Sequence, residues 1–414
     1  MENVMTRPSQ FERSFAVVLL LLSTGAFLNL YLQAGGSIDL EDGLPFMRVI
    51  WFAFYAVVIG ILIKERAVCF GAVMDSWSLL LLLAFATLSV SWSDAPALTT
   101  RHSLSLSASG LGGLYLAARY SFAEQVKLLT SVFKIAIVLS FLFGAMKLGT
   151  AVDDLDGAWY GIYTQRNSLG AMMALSVLVF ILWARIRPEE KGTLNIWAAL
   201  SFVLILLSGS MTALISACIV TTLLPVARFM KSDPAKARAT ILAGTLAAGL
   251  GLYFFADHFE TVVELFDRDA SLTGRTTIWG AALAEGVDQF WLGAGFDAFW
   301  LGDKGPSGEV QSIAGWAVPS AHNGFLEIWL ALGIAGSAIF FLGFCICCKR
   351  SIQLFLQADS WEAVWPLLFL ILLVLVNLTQ STLVSPNYIL WILYVGIFLQ
   401  ASQLTTRPLQ ECEA

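Results

Sequence analysis

The chain has 414 residues, 58% of them hydrophobic and only 13% charged, with a mean hydropathy of +0.76. A soluble fold of this length needs far more charge to cover its surface. The formal net charge of −6, with basic residues scattered over many short segments, argues against a nucleic-acid binder.

Apolar runs predict helices near 15–32, 46–63, 77–92, 102–118, 128–148, 167–183, 194–208, 211–227, 239–256, 322–345, 363–378 and 387–401. Such runs approach the ~20 residues that cross a hydrocarbon core of ~30 Å. The expectation is an all-α integral membrane protein of about twelve transmembrane helices, forming one domain over residues 1–414. The first run follows Arg7 and Arg13, exceeds a signal-peptide core in length and has no cleavage site after it, so it reads as a retained helix. The fourth run is crowded by Ser103, Ser105, Ser107, Ser109, Gly110, Gly112 and Gly113, small residues that suit close helix packing. Only Ser208-Gly209-Ser210 separates the seventh run from the eighth.

Between the ninth and tenth runs lies the longest connection, residues 257–321. Long connections with structure of their own are usually functional. Thr276 to Val287 reads as a short amphipathic helix with Trp279, Leu283 and Val287 on one face. Phe290 to Phe296, apolar and Gly-rich, is expected on or in the membrane surface.

Basic residues set the expected orientation. With the N-terminus inside, sixteen of the 24 fall on the cytoplasmic side and six outside: Arg48, Arg101, Arg166, Arg268, Arg275 and Lys304. Lys134 and Lys147 lie within the fifth run and read as close enough to its ends to snorkel. Both termini are then cytoplasmic, and 257–321 is extracytoplasmic. No cysteine falls in an outer loop, so no disulfide is expected there. Cys345, Cys347 and Cys348 have no neighbouring His and read as helix residues, not a metal site.

All three histidines, His102, His258 and His322, belong to the outer side on this topology. His322 closes the long loop in Ser320-Ala321-His322-Asn323-Gly324, where an imidazole can take a proton from a hydroxyl near neutral pH. Arg275, after Gly274, is read at the start of the loop helix, where free N–H groups and a planar guanidinium suit a phosphate. Arg166, before Asn167, opens the sixth helix, and Arg101 precedes the fourth. Asp153, Asp154 and Asp156, and the Asp267-Arg268-Asp269 triplet, read as solvated surface charge.

Several stretches together resemble the O-antigen ligase and Wzy-type polymerase superfamily, especially its ExoQ-like branch. They are Trp92-Ser93-Asp94-Ala95-Pro96, Gly161 to Gly170, Gly274 to Trp279, Trp291 to Phe296, and His322 to Glu327 running into Leu332-Gly333-Ile334-Ala335-Gly336. The resemblance implies a GT-C-like glycosyltransferase of the bacterial inner membrane with its site facing the periplasm. It would transfer a glycan from undecaprenyl diphosphate to an acceptor hydroxyl, with no cofactor and no metal.

By position, Arg275 would hold the diphosphate and His322 would stand at the acceptor. Arg166 or Arg101 would supply a second phosphate contact, because Met211 stands where relatives often carry a basic residue. Asn167, Gly274 and Asn323 would line the same site. The implied partners are the lipid-linked donor, a glycan or lipid-linked acceptor, and chain-length and flippase proteins. Polymerisation of repeat units is favoured over ligation to lipid A-core. A twelve-helix secondary transporter is the alternative of another class, though no half-to-half similarity is evident.

Overall fold

The computed structural model describes residues 8–28, 45–154, 156–231, 271–303 and 305–406, with scattered positions between 235 and 250. Most of the predicted ninth helix, His258, Arg268 and its flanking aspartates, and Lys304 lie outside them. The described helices are α1 (Gln10–Ser23), α2 (Pro45–Lys64), α3 (Arg66–Met74), α4 (Trp77–Leu88), α5 (Pro96–Arg119), α6 (Phe122–Ala145) and α7 (Arg166–Ile186). They continue with α8 (Lys191–Ser208), α9 (Met211–Lys231), α10 (Ser271–Gly286), α11 (Ser307–Ala314), α12 (Gly324–Gln357), α13 (Trp365–Asn377) and α14 (Ile389–Thr406).

Five stretches are long and apolar enough to cross a membrane: Phe46–Lys64, Phe122–Ala145, Arg166–Ile186, Pro188–Ser208 and Gly324–Gln357. Four shorter apolar stretches accompany them. The multi-pass, all-helical expectation therefore stands for the described residues, in a coarser form than twelve spans.

Local chemistry explains the helix boundaries, including those that hydropathy misplaces. α1 stops at Ser23 because the Ser23 and Thr24 hydroxyls donate back to the Leu19 and Leu21 carbonyls and Gly25 turns left-handed at φ +76°. The run 15–32 is therefore not one helix. α5 starts six residues before the apolar run, since Pro96 is preorganised for a first helical position and Ser93 Oγ accepts from the Ala95 N–H. A reciprocal Ser121–Glu124 capping box moves the start of α6 forward to Phe122. Lys134 consequently sits in mid-helix, not near an end, and Lys147 lies just beyond the helix at φ +47°.

Helix α7 is central, packed by α8, α9 and α6 and largely buried, whereas α2 exposes Val49, Phe52 and Ile63 as a helix facing lipid would. α5 packs along α14, and its small residues allow this. A Cβ on Gly113 would come within 2.6 Å of Val395 Cβ, and Gly112, Ser103 and Ser109 are buried, as the crowding of small residues predicts. One end of the bundle is tied by Arg119, at the end of α5. Its guanidinium donates to both Glu12 oxygens at 2.8 and 3.0 Å and to Glu65 at 2.8 Å.

At the opposite end the long connection folds into a cap with its own apolar core of Ile278, Ala282, Phe299, Val310, Ala321 and Leu330. The buried face of α10 is thus Ile278, Ala281 and Ala282. Leu283 and Val287, read from the sequence as part of the apolar face, are 48% and 61% exposed.

The cap is joined to the bundle at a break in α12. Gly333 adopts φ +64°, ψ −167°, a conformation open essentially to glycine alone, and interrupts the helix. Into that break runs the 290–296 segment. Ile334 and Ala335 donate to the Phe290 and Trp291 carbonyls at 2.9 and 3.2 Å, and Ala294 N donates to Leu330 O at 2.9 Å. Gly293 meets the Ala331–Leu332 backbone so closely that a Cβ would lie 2.5 Å from it. The apolar Gly-rich segment is therefore a docking strap on α12. Trp92 Nε1 and the Asp94 N–H donate to the Leu292 and Ala294 carbonyls at 3.1 and 3.0 Å, so three of the sequence motifs meet at one joint.

Candidate functional site

The cap brings α10 against the segment that enters α12. Trp279 donates its indole N–H to the Ala321 carbonyl at 2.7 Å. Arg275 lies one turn earlier on the same helix face, four residues before Trp279. This places its guanidinium close enough to His322 for its charge to act on the imidazole. Arg166, at the first position of α7, lies close enough to act on Arg275 in turn. Arg275, Arg166 and His322, more than 150 positions apart at the extremes, thus form one basic cluster at the cap end of the bundle.

Burial pushes the His322 imidazole below its ordinary pKa, and the Arg275 charge adds to this. Burial, and then Arg166, likewise push the Arg275 guanidinium down. The Arg275 guanidinium, partly withdrawn from water and within the influence of Arg166, is a cation that an anionic ligand would stabilise. His322 is moreover held at φ +51°, left-handed for a non-glycine residue, with its N–H on Ser320 Oγ at 3.3 Å. Such strain clusters at functional sites.

Other expected site residues are placed differently. α10 begins at Ser271, so Arg275 stands in its second turn, and the helix-terminal amides are not beside it. Arg101 lies inside α5 next to His102 and does not precede the helix. Asn323 caps α12, its side-chain oxygen accepting from Phe325 N and Leu326 N at 3.0 and 3.2 Å, which leaves its amide group for any ligand. Gly274 is exposed on α10 with open space where a Cβ would be. The Asn167 carbonyl accepts from Gln380 Nε2 at 2.8 Å.

Nor is the first acidic cluster simply solvated surface. Asp156 pairs with Arg166, and Tyr160 donates to Asp153. Burial and that contact push the Tyr160 hydroxyl up to about 12. Near Met211, Gly170 packs so closely on Ser210 that a Cβ would lie 2.7 Å from it. Arg166 lies one turn earlier on the same helix, α7.

Residues 379–382, between α13 and α14, knit the site together. Thr379 donates to Thr212 at 3.0 Å, Gln380 to Asn167, and Ser381 to Glu327 at 3.0 Å. Glu327 also accepts from the Ala321 N–H at 2.9 Å. His102 Nδ1 lies 2.6 Å from Asp297 Oδ2. Sequence reasoning assigned no role to Glu327, Asp297 or Ser381. Glu327 was visible within the His322-to-Glu327 motif, but nothing in sequence separation links Asp297 to His102.

Residues 196–341, from α8 into α12, match the family model described as O-Antigen ligase (Wzy_C). Over this region, about a third of its length, the chain resembles the O-antigen ligase and Wzy-type polymerase superfamily. The matched region holds Arg275 and His322, while Arg166 and His102 lie outside it. A relative is the exopolysaccharide production protein ExoQ of Rhizobium meliloti (strain 1021), 21% identical over 244 residues. The match covers 56% of this chain and 55% of that protein, about half the length of each.

Proposed function

We propose that the protein is an extracytoplasmic glycosyltransferase that passes a glycan from undecaprenyl diphosphate to an acceptor hydroxyl, polymerising repeat units of an exopolysaccharide or O-antigen. The observation that carries this reading is the convergence of Arg166, Arg275 and His322 at the cap end of the bundle. An anionic diphosphate is attracted by both guanidiniums, and its charge grows as the sugar–phosphate bond breaks. Preorganised cations stabilise that growth without reorganising.

In the transfer, the acceptor oxygen bonds to the anomeric carbon while the bond to the diphosphate oxygen breaks and its electron pair stays on phosphate. His322, whose neutral form burial favours, takes the hydroxyl proton. Direct displacement inverts the anomeric centre. The cap end faces the periplasm of the bacterial inner membrane, as the distribution of basic residues supports, and catalysis needs no metal.

Ligation of finished polymer to a lipid A-core or other final acceptor is the second reading, favoured by the O-Antigen ligase description of the matched region. Polymerisation is favoured by the likeness to an exopolysaccharide production protein. The family match over residues 196–341 favours the transferase reading over the transporter alternative.

The test is transfer by purified protein in liposomes bearing undecaprenyl-diphosphate-linked oligosaccharide, with and without EDTA. A product ladder unaffected by EDTA, lost by about a hundredfold or more in Arg275→Ala and His322→Ala, is the expected result. A single product formed only with an added final acceptor selects the ligase. Full activity in both variants overturns the site.

A further inference from the structure

On the other side of the segment that carries His322 lies a cavity of ≈ 280 Å³. Its wall includes His102, Asp297, Trp300, Ser320, Glu327 and Ser381. The polar groups come from α5, the residues just after the strap, the entry to α12 and the α13–α14 connection, so four separated parts of the chain converge on one space. Apolar faces at Phe296 and Leu332 complete it.

The chemistry of the wall narrows what fits. Two carboxyl groups, Asp297 and Glu327, face a cavity whose wall, among the described residues, includes no arginine or lysine, so a diphosphate belongs with the arginines instead. Among the described residues no group of three or more His, Cys, Asp or Glu is placed to hold a metal ion. Carboxyl oxygens accept from hydroxyls, and serine hydroxyls both donate and accept. The Trp300 indole N–H is shielded from solvent and lies within reach of the Glu327 carboxyl. Asp297 Oδ2 lies 2.6 Å from His102 Nδ1. Carboxyl and hydroxyl oxygens therefore surround a compact space with apolar faces. That is the complement of a neutral ring carrying several hydroxyls. The volume lies just below the roughly 300–1,000 Å³ of small-molecule sites, which suits one or two rings and not a longer oligosaccharide.

Its position relative to the basic cluster completes the case. Ser320 and Gly324 line the cavity, and His322 is two residues from each, at most about 7 Å of extended chain. Ala321 serves both sides. Its N–H donates to Glu327 on the cavity side and its carbonyl accepts from Trp279 on the Arg275 helix.

We propose that this cavity is a saccharide subsite that binds the terminal glycosyl unit of the acceptor by its hydroxyls, with Asp297, Glu327 and Trp300 setting which sugar is taken. The proposal rests on the glycosyl-transfer reading above. Asp297, Glu327 and Trp300 are specificity residues here, and the diphosphate is held elsewhere.

The experiment uses the full chain in nanodiscs, with an undecaprenyl-diphosphate-linked repeat unit as donor and, as acceptor probe, its phosphonate-linked analogue, which cannot give up its glycan. Transfer is measured at fixed donor density while acceptor density is varied, for wild type, Asp297→Asn, Glu327→Gln and Trp300→Phe. Hydrogen exchange of residues 294–303 and 319–328 is followed with the deglycosylated lipid diphosphate and with the intact acceptor.

The expected result is a tenfold or larger rise in acceptor KM with kcat changed less than threefold, together with exchange protection by the glycosylated probe only. Trp300→Phe keeps the ring and removes the N–H, so it tests the hydrogen bond without emptying the wall. Wild-type transfer with unchanged acceptor KM in all three variants overturns the subsite and leaves the transferase reading intact. Equal protection by the deglycosylated lipid also overturns it, because the cavity then answers to the diphosphate. A wild type inert with every acceptor overturns the transferase reading and the subsite with it.

Discussion

At the scale of single residues, His322 is the most constrained group in the site. Its backbone is left-handed, its ring is partly buried, and the Arg275 charge lies nearby. Burial is the larger of the two influences and both disfavour the imidazolium. Its titration midpoint, followed by NMR of histidine-labelled protein in nanodiscs, is therefore expected below the ordinary value of about 6.5. Arg275→Gln should raise the midpoint only part of the way back, because burial remains. A wild-type midpoint at or above 6.5 overturns this account. The sign for stability follows from linkage. Between the folded midpoint and about 6.5 the unfolded chain binds more protons than the folded one, so stability rises with pH through that window and is flat above it. The identity of His322 and its place beside a helix start were legible in the sequence. Its φ and its charged neighbour were not, since both depend on where α10 docks.

At the scale of elements, the joint between the strap and the break in α12 holds the cap on the bundle. Gly333 and Gly293 are required there for different reasons. Gly333 has a backbone conformation that costs other residues about 1–3 kcal/mol, and Gly293 has α12 backbone where a side chain would start. Gly333→Ala adds a clash as well, because its Cβ would lie 2.3 Å from the Trp291 carbonyl carbon. Either alanine substitution is expected to lower the melting temperature in detergent and to raise hydrogen exchange across 290–296. Gly274→Ala, with open space around it on α10, should change neither. Identical melting and exchange for all three variants would remove the strap from its role. Hydropathy had merged the two halves of α12 into a single apolar run, because a glycine between apolar residues does not interrupt that pattern. The break becomes visible only through the carbonyls of the strap that take the N–H groups it frees.

At the scale of the whole molecule, the bundle has two chemically distinct ends. Arg119 with Glu12 and Glu65, and Arg350 with the Asp75 carbonyl, close one end. The basic cluster, the cavity and the cap occupy the other. On the proposed orientation, Asp154, exposed in the α6–α7 connection at the cap end, faces the periplasm, while Glu189, exposed between α7 and α8, faces the cytoplasm. With the native cysteines replaced, a membrane-impermeant maleimide should label Asp154→Cys in intact spheroplasts and Glu189→Cys only after lysis. The reverse pattern would invert the protein and place the site where a periplasmic acceptor cannot reach it.

The sequence by itself determined the solvent and the helical class, because runs of apolar residues with little charge have no other stable home than a bilayer. It also pointed to Arg275 and His322, through local motifs that survive without knowledge of packing. Only the tertiary structure decided that Arg166 joins them and that Asp156 braces Arg166. The same is true of the strap closing on Gly333, and of Asp297 meeting His102 from 195 residues away. Those contacts arise from helix docking and loop closure, in which positions distant in sequence come to share one space, and hydropathy along a chain carries no record of which partners will meet.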